Sequence, residues 1–240
     1  MGKAYSNHFV ITAKFALNAS EIHLRRANFA IYNALIKEQK MNIKAFTNGL
    51  LSSNSYVVWD NEECMIIDLG VNPQEVSNFI SKMELNVKYL VLTHGHYDHA
   101  HYVGAYIDLY KDAKVVCHEN EHKVLMDEMA NVTSYVGCPC KYDYEYTFLK
   151  DGDILSLGAS EFKVLNMPGH TPGCICLYCE KERVMFTGDV LFAYSYGRTD
   201  FKYGNQLDMI SSLRKIRDMD RSITIYPGHD GSSTLERIFG

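Results

Sequence analysis

The densest group of potential metal ligands in the chain lies between residues 93 and 99, which read THGHYDH. The run follows a strand-like segment and precedes a helix-like one, and a loop at a strand end can direct alternate side chains at two ions. For this composition, such a pattern arises by chance with a probability of about 0.001. It therefore predicts a metal centre, because imidazole nitrogens and carboxylate oxygens are ligands for zinc and iron. The four candidate ligands are His94, His96, Asp98 and His99.

Further ligands must come from other parts of the chain, because one loop cannot complete two coordination shells. Three more His or Asp residues follow strand-like runs and stand beside a glycine: His170 in MPGHTPG, Asp189 in FTGD and His229 in YPGH. Glycine gives the backbone the sharp turn that a crowded site requires. Together with the first loop, these turns favour one shared metal site over four unrelated loops.

The elements that must position these turns alternate between short strands and helices from residue 41 onward. This alternation predicts a layered α/β architecture with helices outside the sheets, and residues 131–147 are predicted as a loop over one face. Strands are predicted at 44–46, 55–59, 64–67, 89–92, 114–117, 151–155, 162–165, 175–178, 184–186 and 223–226, and helices near 73–83, 100–110, 119–129 and 206–217.

The composition excludes one class of protein and argues against another. The 240 residues are 47% hydrophobic and 22% charged, without an apolar run long enough to cross a membrane. The net charge is −5, and residues 41–240 carry 27 acidic against 18 basic groups. This excess of acidic groups disfavours binding to the phosphate backbone of nucleic acid.

The seven cysteines indicate a reduced, cytoplasmic setting, since their number is odd and the chain is too large to depend on disulfides. The spacings of Cys138 with Cys140 and of Cys176 with Cys179 permit a zinc or redox site. Strand alternation instead directs Cys174 and Cys176 to one face and into the core. Burial as small apolar side chains is the favoured interpretation.

Residues 1–40 do not share the α/β pattern and carry six basic against two acidic residues. They are predicted to form an N-terminal extension outside a domain that spans 41–240. A solvated or loosely docked extension is favoured over a targeting segment, because the compositional bias is mild.

The set of motifs resembles the metallo-β-lactamase superfamily and, within it, the single-domain glyoxalase II-like (hydroxyacylglutathione hydrolase-like) proteins, over residues 41–240. The resemblance implies an αββα sandwich, in which two mixed β-sheets are flanked by helices and the metals lie at one sheet edge. Met41 stands where many members of the family begin. By resemblance, His94, His96 and His170 hold a first metal ion, Asp98, His99 and His229 hold a second, and Asp189 bridges them.

Three further positions take their meaning from the same resemblance. Asp68, in IDLG, matches the family's buried carboxylate behind the histidine loop. Residues 197–201 read GRTDF, a signature of glyoxalase II-like and persulfide dioxygenase-like members, which assigns Arg198 and Asp200 to the substrate side of the site. His101 stands where relatives have an apolar residue, and it is predicted not to be a ligand because all seven family positions are filled.

The resemblance implies a hydrolase in which two metal ions share a hydroxide that attacks a small acyl thioester such as S-lactoylglutathione. Asp189 would hold that nucleophile and Asp98 would orient it, so both are predicted catalytic residues. Two zinc ions are expected, with iron or manganese possible at either site. The chain contains no Gly-x-Ser-x-Gly motif, which disfavours a serine hydrolase.

Other functions stay open on the sequence. The GRTDF signature permits an iron-dependent sulfur oxygenase, although that chemistry usually uses one iron, and a lactonase or β-lactamase fits the same ligands. A non-enzymatic, metal-holding interaction module is disfavoured because an open water site serves catalysis. The helical domain that grips glutathione in full-length glyoxalase II is expected to be absent, and the sequence specifies neither the exact substrate nor the oligomeric state. Six tyrosines are candidates for lining a substrate cleft: Tyr135, Tyr142, Tyr144, Tyr146, Tyr194 and Tyr196.

Overall fold

Two six-stranded β-sheets pack face to face in the computed structural model, which describes residues 41–240. The first sheet begins as an antiparallel meander of three strands and continues with three parallel strands, so it is mixed. In sheet order its strands are β1 (Asn42–Phe46), β2 (Ser55–Asp60), β3 (Glu63–Ile67), β4 (Asn86–Val91), β5 (Lys114–His118) and β6 (Thr147–Leu149).

The second sheet is antiparallel except for one parallel pair, formed by its fourth and fifth strands in chain order. Each strand lies beside its neighbour in the chain, so the connections within this sheet are local. Its strands are β7 (Ile154–Leu157), β8 (Ser160–Asn166), β9 (Ile175–Cys179), β10 (Val184–Gly188), β11 (Thr224–Pro227) and β12 (Ser233–Thr234).

Helices cover the outer face of each sheet and connect the strands. The sequence positions their ends locally: Pro73 occupies the first turn of one helix, and the Asn205 side chain accepts hydrogen bonds from the Leu207 and Asp208 amides at the start of another. The helices are α1 (Pro73–Lys82), α2 (Tyr97–Ala100), α3 (Val103–Leu109), α4 (His122–Leu125), α5 (Gln206–Arg217) and α6 (Leu235–Phe239), with 3₁₀ turns at Leu50–Ser52 and Glu119–Glu121.

Strand alternation divides the apolar core into three layers. In β3, Ile66 faces the layer that contains α1 and α3, whereas Met65 and Ile67 face the layer between the two sheets. A third layer lies between the second sheet and α5, and it contains Cys174 and Cys176. The architecture confirms the predicted αββα sandwich of two mixed sheets.

The helix predicted near 119–129 is wrong in its extent. Residues Glu119–Glu121 form a 3₁₀ turn, and α4 ends at Leu125. The Asp127 carboxylate accepts hydrogen bonds from the Met129 and Ala130 amides, and this local turn competes with helical bonding. The helix predicted near 100–110 is likewise divided into α2 and α3.

The cysteine prediction is confirmed for the three cysteines in and next to β9. Cys174, Cys176 and Cys179 are buried and free, and burial raises the pKa of the Cys176 thiol well above its ordinary value. Cys138 and Cys140 are half-buried, and no cysteine of residues 41–240 belongs to a group of potential metal ligands.

Within the range 41–240, no helix is both long and apolar enough to span a membrane. The predicted N-terminal extension, residues 1–40, lies outside the described residues, so the boundary at residue 41 stays a prediction.

Candidate metal centre

The predicted ligand turns meet at one edge of the sandwich. His94 to His99 follow β4, and Asp189 directly follows β10. The strands β8 and β10 point the same way because both are antiparallel to β9, and β11 is parallel to β10. The carboxyl ends of these strands therefore deliver His170, Asp189 and His229 to the same place.

All seven predicted ligands lie within three overlapping groups. In each group the candidate ligand atoms lie within 4.8 Å of one another, and His94, His99 and Asp189 belong to the group that joins the other two. The groups are His94 with His96 and His170, His94 with His99 and Asp189, and Asp98 with His99 and His229.

The inward atoms of this cluster have the properties of metal ligands. The Nε2 atoms of His94, His96 and His170 and the Oδ1 atom of Asp189 are buried without a hydrogen-bond partner among the described residues. A buried polar atom without a partner costs about 1–3 kcal/mol, and here four such atoms converge. The residues therefore fit a bound cation.

The outward atoms of the same rings are fixed by hydrogen bonds. His170 Nδ1 donates to the Arg198 carbonyl oxygen over 2.6 Å, and His99 Nδ1 donates to Asp68 Oδ2 over 2.8 Å. The Ala130 backbone forms a hydrogen bond with His96. Fixing the outer ring nitrogen sets the tautomer and turns Nε2 toward the centre of the cluster.

Burial sets the protonation state of the first group. It lowers the pKa of His94, His96 and His170 below the ordinary histidine value, and neighbouring imidazoles add to the effect for each. These rings are therefore neutral at pH 7, and neutral imidazole is the form that binds a metal.

Carboxylates surround His99 in the second group. His99 Nε2 lies 3.5 Å from Asp98 Oδ2 and 3.4 Å from Asp189 Oδ1, and His229 Nε2 lies 3.1 Å from Asp98 Oδ2. Burial alone would lower the pKa of His99, but the Asp98, Asp68 and Asp189 carboxylates raise it well above its ordinary value. Burial alone would raise the pKa of Asp98, but His99 and His229 hold it far below the ordinary range. The arrangement stabilises positive charge at this point, which a proton or a metal ion can supply.

Asp68 lies directly behind the histidine loop. It is buried with φ 59°, in the left-handed region that aspartate tolerates better than most residues. Its carboxylate accepts hydrogen bonds from the Thr93 amide, the Thr93 hydroxyl and His99 Nδ1. Asp68 thus fixes both the start of the loop and the orientation of one candidate ligand.

The segment 197–201 covers one side of the cluster. A Cβ atom at Gly197 would collide with the Asp189 carbonyl oxygen and lie 3.0 Å from His170 Nδ1, so only glycine allows this close approach. The Arg198 guanidinium pairs with both oxygens of Asp200 at 2.6 Å and stacks 4.1 Å from the Phe201 ring centroid. Arg198 lines the cleft over the ligands. Asp200 is not among the lining residues and contacts Arg198 instead.

Glu121 is a second buried carboxylate behind the ligands, and it was not among the residues predicted from the sequence. Its Oε1 accepts the Gly95 amide and its Oε2 accepts the Thr171 hydroxyl, each over 2.8 Å. Burial raises the pKa of Glu121 to about 7. No sequence signal distinguished it from the other acidic residues near 119–128, because its partners are distant in the chain.

The cleft above the ligands has a volume of about 430 Å³ and a largely apolar wall. Of the six candidate tyrosines, only Tyr135 lines it; Tyr142 belongs to the core and Tyr194 is 90% exposed. His101 packs against the rings of Tyr97 and Tyr102 and belongs to none of the three ligand groups. Sequence reasoning missed four apolar residues of the wall: Leu51, Val132, Val136 and Phe192.

Comparison with known proteins agrees with this fold. The sequence model of the Metallo-beta-lactamase superfamily matches residues 48–229, and the chain belongs to that superfamily. Hydroxyacylglutathione hydrolase GloC of Haemophilus influenzae is 36% identical over 201 residues, which cover 81% of this chain and 93% of the relative. This similarity supports the assignment of the chain as a glyoxalase II-like member of the superfamily and as a metal-dependent hydrolase.

Two solved structures extend the similarity. The BLEG-1 B3 metallo-beta-lactamase matches with a TM-score of 0.76 and 29% identity, over 82% of this chain and 95% of its own. The protein TTHA1623, solved in a di-iron-bound form, matches with a TM-score of 0.72 and 26% identity, over 81% of this chain and 96% of its own.

Proposed function

We propose that the protein is a binuclear metal-dependent hydrolase that cleaves the acyl–sulfur bond of small acyl thioesters of the S-lactoylglutathione kind. The observation that carries the proposal is the joining of two ligand groups at the floor of one open cleft. The name of the Haemophilus influenzae relative supports the thioester substrate.

The ligand assignment follows the three groups. His94, His96 and His170 would hold one ion, and Asp98, His99 and His229 the other. Asp189 would bridge them, since its Oδ1 lies 3.4 Å from His99 Nε2 and its Oδ2 lies 3.5 Å from His170 Nε2. When bound, two such ions lower the pKa of a shared water and polarise a substrate carbonyl.

Zinc suits this set of imidazoles and carboxylates, and iron or manganese is an alternative at either site. The di-iron form of the relative TTHA1623 supports keeping iron among the candidates.

The chain's own carboxylates would orient the attacking water. The nearby histidines hold the pKa of Asp98 low, so its carboxylate stays ionised and would accept a hydrogen bond from the water. Asp98 and Asp189 are only 7% and 8% exposed, and this burial keeps bulk water from competing for the same oxygens. No serine or cysteine nucleophile is required.

We also assign the reaction to the cytoplasm and the substrate to small molecules. The free state of all seven cysteines, each within the described residues, supports a reducing compartment. The cleft volume of about 430 Å³ suits a small-molecule substrate.

A substrate panel tests the proposal. The metal-loaded protein is assayed separately with S-lactoylglutathione, a small lactone, a β-lactam and a glutathione persulfide. An oxygen electrode measures oxygen uptake with the persulfide. We expect thioester hydrolysis with the highest kcat/KM and no oxygen uptake. Oxygen uptake with the persulfide and no thioester hydrolysis would identify a sulfur oxygenase instead, and preference for the lactone or β-lactam would reassign the hydrolase.

A further inference from the structure

The wall of the cleft presents large apolar side chains to solvent beside the ligands. Leu51 is 63% exposed, Tyr135 59% and Val136 40%, and Phe192 and Phe201 complete the surface. Exposed apolar groups clustered around a reactive floor are typical of a ligand-binding surface.

Two of the wall residues are held in a backbone conformation that their side chains disfavour. Leu51 has φ 51° and Val132 has φ 61°, both in the left-handed region, where a β-branched residue is a true outlier. Such strain persists only where the surrounding structure imposes it, and it is concentrated at ligand-binding and catalytic sites.

Hydrogen bonds hold both of these segments against the ligand loop. Two residues after Leu51, the Ser53 hydroxyl donates to the Asp98 carbonyl oxygen over 2.8 Å. Next to Val132, the Asn131 carbonyl oxygen accepts the Tyr97 amide over 2.9 Å. Both strained segments are therefore fixed to the loop that carries four candidate ligands, and the wall and the floor are positioned together.

The cleft also offers few charged groups that could bind a charged ligand. Among the described residues that line it, Arg198 has the one guanidinium or ammonium group, and that group is already paired with Asp200 and stacked on Phe201. The glutathione tripeptide carries two carboxylates and an ammonium group, which need opposite charges or water. An apolar group can pack against the wall without opposite charges or bound water.

We propose that this wall selects acyl thioesters whose thiol portion is uncharged and apolar, and that the glutathione tripeptide adds little to recognition. The inference rests on the proposed thioesterase function. A lactoyl group is short, so with its carbonyl at the ligands the thiol portion is the part of the substrate long enough to reach the wall.

The test compares four lactoyl thioesters on the full-length, metal-loaded protein. The thiols are 2-phenylethanethiol, which is apolar, N-acetylcysteamine, which is neutral and polar, 3-mercaptopropionate, which is anionic, and glutathione. We expect kcat/KM for the phenylethyl thioester to exceed that for the mercaptopropionate thioester at least tenfold. The glutathione thioester should not exceed the N-acetylcysteamine thioester.

A matched pair of variants identifies the wall. Leu51→Asn removes the apolar side chain while asparagine tolerates the left-handed backbone. It should lower the ratio of kcat/KM for the phenylethyl thioester to that for the N-acetylcysteamine thioester about fivefold or more. Leu207→Asn, which changes a leucine of α5 that is 77% exposed and outside the cleft, should leave this ratio unchanged.

The possible results distinguish a failure of the proposed thioesterase function from a failure of the proposed preference for apolar thiols. Failure to hydrolyse any of the four thioesters would refute the proposed function. Hydrolysis of all four with glutathione preferred more than tenfold, or with equal rates for the apolar and anionic thiols, would overturn the inference and leave the thioesterase standing. An equal change of the ratio in both leucine variants would also overturn it.

Discussion

Glu121 joins two of the ligand turns from beneath, so its removal should weaken the metal centre without touching a ligand. One carboxylate oxygen accepts the Gly95 amide, between His94 and His96, and the other accepts the Thr171 hydroxyl, next to His170. Each distance is 2.8 Å, and Glu121 is fully buried. We therefore expect Glu121→Ala to loosen both turns at once.

The expected loss follows from these two hydrogen bonds. Each buried donor left without an acceptor costs about 1–3 kcal/mol, so the loss of these two bonds alone should lower the free energy of unfolding by roughly 2–6 kcal/mol. The Gly173 amide, which also bonds Glu121, adds to this loss. Partners that orient metal ligands typically contribute about 10–100-fold to metal affinity, and the same loss is expected here.

Urea unfolding measures the first quantity, and competition with a chromogenic chelator measures the second. Glu119→Ala is the control, since Glu119 lies in the same 3₁₀ turn but is exposed. A change in the unfolding free energy of less than about 0.5 kcal/mol, the size of an ordinary surface substitution, together with an unchanged metal affinity would contradict this role of Glu121.

Three further predictions follow from the same structure. Burial raises the pKa of Glu121 from an ordinary 4.5 to about 7, so the folded state holds the extra proton between these values and stability falls as pH rises through them. Urea titrations across that window should show a shallower fall for Glu121→Gln than for wild type, and equal slopes would contradict the assignment. Asp189→Ala should abolish thioester hydrolysis with little change in circular dichroism; retention of more than a tenth of kcat/KM, a loss under about 1.4 kcal/mol, would count against a bridging role. A truncated chain beginning at Met41 should fold and bind metal, and aggregation or loss of metal would show that residues 1–40 cover part of the core.

Much of the site could be predicted from the sequence because its ligands carry a local signal. The histidine loop is dense, and His170, Asp189 and His229 each stand beside a glycine at a strand end. Chain direction then brings them together, since the carboxyl ends of β8, β10 and β11 share one edge. Helix α5 was predicted with its observed ends, and the Asn205 cap explains its start.

The residues that support and cover the site could not be found in this way. Glu121 resembles any acidic residue near a helix start, and its role arises from partners 26 and 50 positions away. Leu51 and Val132 are ordinary apolar residues in the sequence, and only their left-handed backbone and exposure beside the ligands single them out. Strands as short as β6 and β12 contain too few residues for a periodic pattern.

Metal titration of the stripped protein tests the central claim most directly. Zinc is added to the metal-free chain while lactoyl thioester hydrolysis is followed, and bound metal is counted by elemental analysis. Activity should rise until close to two ions are bound per chain and then stay level. Activity that reaches its full level with one bound ion, or no thioester hydrolysis at any zinc content, would contradict the binuclear hydrolase.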